Sequence, residues 1–225
     1  MDGVAASPGT TLSGKSSRFA GDQAPRKRNS RVILFDLGGV LIENAGEEGL
    51  RAILPYDLDH EQIWARWLAS SAVRQFECGR IAPEEFAALF IEEWRLELGP
   101  SDFLQAFAAW PRGLFGGAEN LVRELRVRYR VGCLSNNNAV HWAKFPQLQE
   151  MFDLQFASHL TGFIKPDRAA FEHVLLELEV AADQVYFLDD LPQNVAAARA
   201  VGINAIHVKE FPDIESALRA EGLYE

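Results

Sequence analysis

Cysteine is scarce in this chain, and its uninterrupted apolar segments are short. The 225 residues include only two cysteines, Cys78 and Cys133, too few for a disulfide framework or a cysteine-rich zinc site. The sequence has no run of 18 apolar residues and no apolar signal segment near its start, so we expect a cytoplasmic protein without a membrane partner. Hydrophobic residues nevertheless make up 48% of the chain, which is enough for a substantial core.

Positive charge is also in short supply. The formal net charge is -10, yet residues 1–31 carry six basic side chains against two acidic ones, so the remainder is more acidic still. Such a body repels nucleic acids, and we expect no nucleic-acid partner. An anionic substrate would need a metal ion or a well-placed lysine.

Residues 1–30 are rich in small and polar residues and show no helical or strand period, which predicts a disordered leader. Gly9, Gly14, Lys15 and Ser16 match the phosphate-loop pattern. That pattern binds nucleotides only between a strand and a helix. Neither is indicated here, so we do not interpret it as a nucleotide site.

From Arg31 onward, short apolar runs alternate with helical patterns. The first run is Val32–Phe35, and similar runs follow at 131–134, 185–188 and 203–208, with a weaker one at 154–156. Arg168–Leu178 has the apolar spacing of an amphipathic helix. Alternation of this kind predicts an α/β fold, a parallel sheet covered by helices.

Residues 44–110 interrupt the alternation with helical patterns alone. Pro83 is typical of a helix start, and Ser101 is interpreted as the N-cap of a further helix. Four of the five tryptophans fall in this segment. We expect an inserted all-helical cap at 44–110 on a core formed by 31–43 and 111–225.

Polar residues follow three of the predicted strands. Asp36 follows the first, Ser135 and Asn136 the second, and Asp189 and Asp190 the run at 185–188. Ligands of open parallel sheets bind at the carboxyl ends of strands. Carboxylates that converge there repel one another unless a cation lies between them, and oxygen ligands suit Mg²⁺.

Lys165, which precedes a proline, is a further candidate site residue. Pro166 favours an extended backbone at Lys165, which fixes the direction of its side chain. Held in this way, Lys165 could supply the positive charge that a phosphate and an aspartate cluster need.

In order and spacing, these segments resemble the four motifs of the haloacid dehalogenase superfamily. They are 36–41 (DLGGVL), 134–136 (LSN), 165–167 (KPD) and 188–190 (LDD). The helical insertion is similar to the helical cap of that superfamily. The closest similarity is to the sugar-phosphatase branch that also resembles the N-terminal phosphatase domain of soluble epoxide hydrolases.

The resemblance implies a Rossmann-like core and a Mg²⁺-dependent phosphatase acting on a small phosphorylated metabolite, such as a sugar phosphate. It implies that Asp36 is the nucleophile, that Ser135 and the neighbouring Asn136 amide hold a phosphoryl oxygen, and that Lys165 offsets charge. The metal ligands it implies are Asp36, the carbonyl of Gly38 and Asp190, with Asp189 as a partner of Lys165 or of a water at the metal. Asn194 falls where many relatives have another aspartate.

The sequence departs from the family pattern at Gly38. Most family phosphatases have a second aspartate there, which protonates the leaving group and later activates water. Its absence predicts a slower enzyme or a leaving group that needs little protonation, because general acid catalysis contributes about 10² to 10⁴ in rate. What replaces this acid stays open, a residue of the cap being one alternative.

Other activities remain in competition with phosphatase action. A catalytically weak or inactive binding or regulatory protein of the same fold is the alternative that Gly38 motivates. Dehalogenase activity needs no metal, whereas the Asp189–Asp190 pair indicates a metal site and so argues against that activity. The turn at 76–80, between two cap helices, is where relatives contact the leaving group, and Arg80 there could bind an anionic or hydroxylated substrate. A surface arginine beside a turn glycine is the more common interpretation of this pattern. The oligomeric state is not indicated.

Overall fold

The computed structural model describes residues 30–225. The phosphate-loop-like segment at 9–16 and most of the predicted leader lie outside the described residues. Five parallel strands form the central sheet in the order β5-β4-β1-β6-β7. Their bounds are β1 Val32–Phe35, β4 Arg130–Ser135, β5 Leu154–Ala157, β6 Val185–Asp189 and β7 Asn204–His207.

The first strand lies at the centre of this sheet because both of its faces are apolar. Every residue of Val32–Phe35 is fully buried, as expected for a strand covered on both sides. β1 pairs with β4 on one side and with β6 on the other, Phe35 lying opposite Cys133 and Leu188. This register brings the ends of three strands to one edge. The prediction of a parallel α/β sheet is therefore confirmed.

Helices cover both faces of the sheet. α6 and α12 contribute to one apolar cluster, and α10 and α11 contribute to the other. The helices after the cap are α6 Ala118–Arg126, α7 Ala139–Trp142, α8 Leu148–Met151, α9 Ser158–Thr161, α10 Arg168–Leu178, α11 Pro192–Arg199 and α12 Asp213–Ala220, with a short 3₁₀ helix at Ala182–Gln184. No helix among residues 30–225 combines the length and the apolarity needed to cross a bilayer.

Five helices lie between β1 and β4 and have their own apolar core. They are α1 Gly46–Ile53, α2 His60–Ala69, α3 Ser71–Glu77, α4 Pro83–Trp94 and α5 Pro100–Ala108, and we call them the cap. Aromatic rings fill this core: Phe76 stacks on Phe86 with centroids 4.2 Å apart, and Phe90 stacks on Phe103 at 5.0 Å. Burial of each such ring is worth about 1.5–3 kcal/mol, so the cap holds together by its own packing.

One detail of the cap differs from the sequence prediction. α4 begins at Pro83 as expected, but α5 begins at Pro100 with Gly99 as its N-cap. Ser101 is therefore inside the helix, and its interpretation as an N-cap is wrong. The physical reason is that the fixed backbone of Pro100 suits the first helical position.

Two short strands that the sequence analysis did not predict connect the cap to the sheet. β2 (Ile42–Asn44) leads into the cap and β3 (Pro111–Leu114) leads out of it, and the two pair in antiparallel fashion. The entry and exit of the cap are thus fastened side by side, close to the end of β1.

Candidate active site

The carboxyl edge of the sheet brings together the polar residues predicted from the sequence. Asp36 follows β1, and its backbone N–H donates to the carbonyl of Leu188 at 2.8 Å. Ser135 ends β4 and Asp189 ends β6. All three side chains are buried. Burial raises the pKa of Asp36, and a hydrogen bond from the Ser135 hydroxyl to its carboxylate offsets a small part of that rise.

Lys165 lies between two of the buried carboxylates. Its Nζ is 3.0 Å from Asp36 Oδ1 and 2.6 Å from Asp189 Oδ2, and the side chain is almost fully buried. Burial alone opposes the charge of this lysine, but Asp189 and Asp36 outweigh it and raise the Lys165 pKa. Lys165 is therefore a fixed positive charge beside Asp36.

Asn136 fixes the backbone of this lysine. The Lys165 N–H donates to Asn136 Oδ1, and Asn136 Nδ2 donates to the Lys165 carbonyl, each at 2.8 Å. The Lys165–Pro166 peptide bond that follows is cis. The side-chain amide of Asn136 is thus engaged in orienting Lys165, so the predicted phosphate contact of Asn136 depends on its backbone N–H.

Three carboxylates form the cluster that could hold a metal ion. Oxygens of Asp36, Asp189 and Asp190 lie within 4.8 Å of one another. Burial raises the pKa of Asp36, an effect that Lys165 opposes and Asp189 reinforces. Burial, together with Asp36 and Asp189, raises the pKa of Asp190 to about 7. Carboxyl groups whose ionised form is disfavoured by burial and by one another are expected where a cation binds between them.

The remaining groups at the cluster fit Mg²⁺. Asp189 is already hydrogen bonded by Lys165, by the Leu191 N–H and by Asn194 Nδ2, which leaves Asp36 and Asp190 as the freer carboxylates. Asn194 Oδ1 is buried with no hydrogen-bond partner among the described residues. An all-oxygen donor set with an unsatisfied acceptor beside it suits a hydrated, hard cation.

Two consecutive glycines after Asp36 differ in what they permit. Gly39 has a φ of +77°, and a Cβ there would lie 2.6 Å from Asp190 Oδ2, so only glycine fits. Gly38 has no such backbone constraint, and a Cβ would meet only the Asn44 side chain, 3.3 Å away at Nδ2. The position where the resemblance implies a second aspartate therefore adjoins an amide, which is too weak an acid to transfer a proton near neutral pH.

A cavity of about 910 Å³ opens above the carboxyl edge, between the core and the cap. Its floor contains Asp36, Ser135, Lys165 and Asp190. Its cap side has apolar residues beside the charged Glu47, Glu61, Arg74 and Glu77, and Leu68 is 56% exposed. The apolar residues of that wall include Leu50, Ile63, Trp64, Trp67, Leu68, Val73 and Trp110.

The predicted substrate residue Arg80 does not line this cavity. α3 ends at Glu77, and the chain turns at Gly79, whose φ is +68°; Arg80 lies beyond that turn and is exposed. Arg74 and Glu77, one helical turn apart on α3, line the cavity instead. Glu77 belongs to the turn at 76–80 that the resemblance associates with the leaving group, but only Arg80 of that turn was predicted to contact the substrate.

Several contacts hold the cap against the core. Arg74 of α3 forms an ion pair with Asp167, and His141 Nε2 lies 2.8 Å from the carbonyl of Phe107 in α5. His141 also accepts at Nδ1 from Asn138 Nδ2, at 3.1 Å. His141, which the sequence left without a role, thus joins the two parts of the molecule.

The fold, the cap and this site are those of a hydrolase. Residues 30–202 match the family model of haloacid dehalogenase-like hydrolases, and the chain belongs to that family. The family resemblance seen in the sequence is confirmed.

The chain is also similar to individual phosphatases. The chain is 29% identical to the sesquiterpene phosphatase astK of Aspergillus oryzae, over 80% of this chain and 90% of that protein. It is 22% identical to the D-ribitol-5-phosphate phosphatase of Bacteroides thetaiotaomicron, over 80% of this chain and 93% of that protein. A haloacid dehalogenase family enzyme of Bacteroides thetaiotaomicron, solved with magnesium and inorganic phosphate, is similar in fold, with a TM-score of 0.66 and 23% identity over 80% of this chain and 94% of that one.

Proposed function

We propose that this protein is a Mg²⁺-dependent phosphatase that hydrolyses a phosphoric monoester of a small metabolite through an aspartyl phosphate on Asp36. The observation that carries the proposal is the buried contact of Asp36 with Lys165 at the floor of a cavity, beside the Asp189–Asp190 pair. Named phosphatases among the relatives support the same reaction. In this reading, residues 44–110 are a cap inserted into the core of 31–43 and 111–225.

The residues at the sheet edge account for a two-step reaction. The Asp36 carboxylate attacks phosphorus and the bond to the leaving oxygen breaks; water then attacks the same phosphorus and releases Asp36 with inorganic phosphate. Lys165 and the Ser135 hydroxyl stabilise the negative charge that develops on the phosphoryl oxygens. Asp189 and Asn136 hold Lys165 in place for both steps.

A magnesium ion would be held by Asp36, the carbonyl of Gly38 and Asp190, with Asp189 and Asn194 around it. When bound, it offsets the charge of the carboxylates and of the phosphoryl group. The acidic net charge of the protein makes such local compensation necessary.

The cavity wall favours a substrate whose organic group is largely apolar. Trp64, Trp67 and Leu68 line the same cavity as Lys165, and apolar area buried on binding contributes about 25 cal/mol per Å². The similarity to a sesquiterpene phosphatase agrees with this wall. A sugar phosphate, which the sequence suggested, would leave more of this surface without a matching partner.

Phosphate release from a panel of esters tests the proposal. The panel contains an isoprenoid alcohol phosphate, a sugar phosphate, a nucleotide and an aryl phosphate, each assayed with Mg²⁺ and with a chelator. We expect Mg²⁺-dependent release that is fastest with the apolar esters. Binding of an ester without turnover, in the presence of Mg²⁺, would instead favour the alternative of an inactive binding or regulatory protein.

A further inference from the structure

The proposed reaction needs a proton for the leaving oxygen, and the usual donor is missing. Gly38 carries no side chain, and the nearest group to its missing Cβ is the Asn44 amide. Lys165 is committed to Asp36 and Asp189. The acid must therefore come from elsewhere around the cavity.

Glu77 is the last residue of α3 and lines the cavity together with Asp36 and Lys165. Its side chain is partly buried, and its carboxyl group makes no hydrogen bond or ion pair with any of the described residues. It lies outside the cluster of Asp36, Asp189 and Asp190. A carboxyl group that lines this cavity without a protein partner is available to a substrate bound there.

The end of α3 is held firmly in this position. Arg74, one turn earlier, pairs with Asp167 next to the Lys165–Pro166 segment. Gly79, two residues later, lies so close to α9 that a Cβ would be 2.3 Å from the carbonyl oxygen of His159. Both ends of the segment that carries Glu77 are thus fastened to the core.

The other acidic residues of the cavity are less suitable. Glu47 is paired with Arg51 at 2.8 Å and lies 2.6 Å from His60 Nδ1. Glu61 is exposed at the start of α2, and Asp190 belongs to the cluster assigned to the metal. Among the acids of the described residues that line the cavity, Glu77 is the one that combines partial burial with the absence of a hydrogen bond or ion pair.

The surroundings of Glu77 favour its protonated form. Burial and the neighbouring Asp36 raise the pKa of Glu77 to about 8, with Lys165 opposing the rise. A carboxylic acid that holds its proton near neutral pH and can release it is suited to general acid catalysis.

We propose that Glu77 of the cap is the general acid and base of the reaction, in place of the aspartate missing at position 38. In the first step its carboxyl proton goes to the leaving oxygen as the bond to phosphorus breaks, which leaves Glu77 as a carboxylate. In the second step this carboxylate takes a proton from the water that attacks the aspartyl phosphate, so the starting state is restored. This assignment rests on the proposed phosphatase function.

The test compares Glu77→Gln with wild type across esters of different leaving-group pKa, with Mg²⁺ present. An alkyl phosphate needs a proton on its leaving oxygen, whereas 2,4-dinitrophenyl phosphate does not. We expect kcat/KM of Glu77→Gln to fall about 100-fold or more for the alkyl ester and to change little for the dinitrophenyl ester. The matched control, Glu92→Gln, changes an exposed acid of α4 and should leave both rates unchanged.

A second variant separates loss of an acid from loss of structure. Adding Gly38→Asp to Glu77→Gln returns a carboxyl group at the position used by relatives, and we expect it to restore part of the alkyl phosphatase rate. Equal losses of Glu77→Gln on both esters, with no rescue, would overturn the role of Glu77 while leaving the phosphatase function standing. Absence of phosphate release by the wild type from every ester would overturn the function itself.

Discussion

Lys165 Nζ lies 3.0 Å from Asp36 Oδ1, and neither side chain is much exposed. Because Asp189 Oδ2 lies 2.6 Å from the same ammonium group, one lysine bridges the carboxylates at the ends of two strands. The arrangement serves stability as well as chemistry, since an isolated buried charge is costly.

Replacement of Lys165 should therefore destabilise the fold as well as abolish activity. Lys165→Met leaves two buried carboxylates without their cation, and loss of one partner of a buried ion pair costs about 3–5 kcal/mol. Urea denaturation in a chelating buffer measures this loss. Lys209→Met, at an exposed lysine, is the control, and equal stability of the two variants would contradict the assigned role.

The two glycines after Asp36 should respond differently to alanine. Gly39→Ala places a methyl group 2.6 Å from Asp190 Oδ2 on a left-handed backbone, so we expect a loss of about 1 kcal/mol or more in stability and weaker Mg²⁺ binding. Gly38→Ala asks only that Asn44 shift by a few tenths of an ångström. Thermal melting and calorimetric titration with Mg²⁺ compare the two variants; similar behaviour would mean that Gly39 does not shape the metal site.

His141 should make the stability depend on pH in the acidic range. Burial lowers the pKa of His141 to about 4, whereas an unfolded histidine titrates near 6.5. The unfolded state therefore binds more protons between these values, so the contribution of neutral His141 is full above about pH 6.5 and declines as pH falls through about 4. The two pKa values correspond to a decline of about 3 kcal/mol.

The comparison of wild type with His141→Gln isolates this effect. We expect wild type to be the more stable at pH 7 and the difference in unfolding free energy to shrink between pH 7 and pH 4. A difference that stays constant over that range would show that His141 is not held in its neutral form.

The apolar cavity wall can be tested at Trp64. This ring lines the cavity and is only half-buried, so Trp64→Ala should disturb the cap core little. We expect a higher KM for an isoprenoid phosphate, by about tenfold if some 50 Å² of contact is lost, and an unchanged KM for a sugar phosphate. A parallel rise for both esters would argue against the apolar substrate class.

Much of the fold could be predicted because the central strands are apolar on both faces. The apolar run Val32–Phe35 is stable only in a strand that is covered on both faces. The polar residue that follows such a strand lies at the edge of the sheet. For this reason Asp36, Ser135 and Asp189 were placed together from the sequence. Local signals also located Pro83 at a helix start.

The parts that could not be predicted depend on tertiary packing. β2 and β3 are only three and four residues long, and the entire cap separates them in the sequence. Strands this short show no recognisable alternation of apolar and polar residues. Arg80 was a candidate for substrate contact because relatives contact the leaving group at the corresponding turn, but the turn at Gly79 leaves Arg80 exposed while Glu77 lines the cavity. The engagement of Asn136 with the Lys165 backbone likewise arises only when two loops meet.

Phosphate release by Asp36→Asn is the most direct measurement of the central claim that Asp36 is the nucleophile. The substitution keeps the shape of the side chain and removes its nucleophilic charge, so in the presence of Mg²⁺ we expect turnover to fall by at least about a thousandfold. Far-ultraviolet circular dichroism should show an unchanged fold. Near wild-type phosphate release by a folded Asp36→Asn protein would contradict the account.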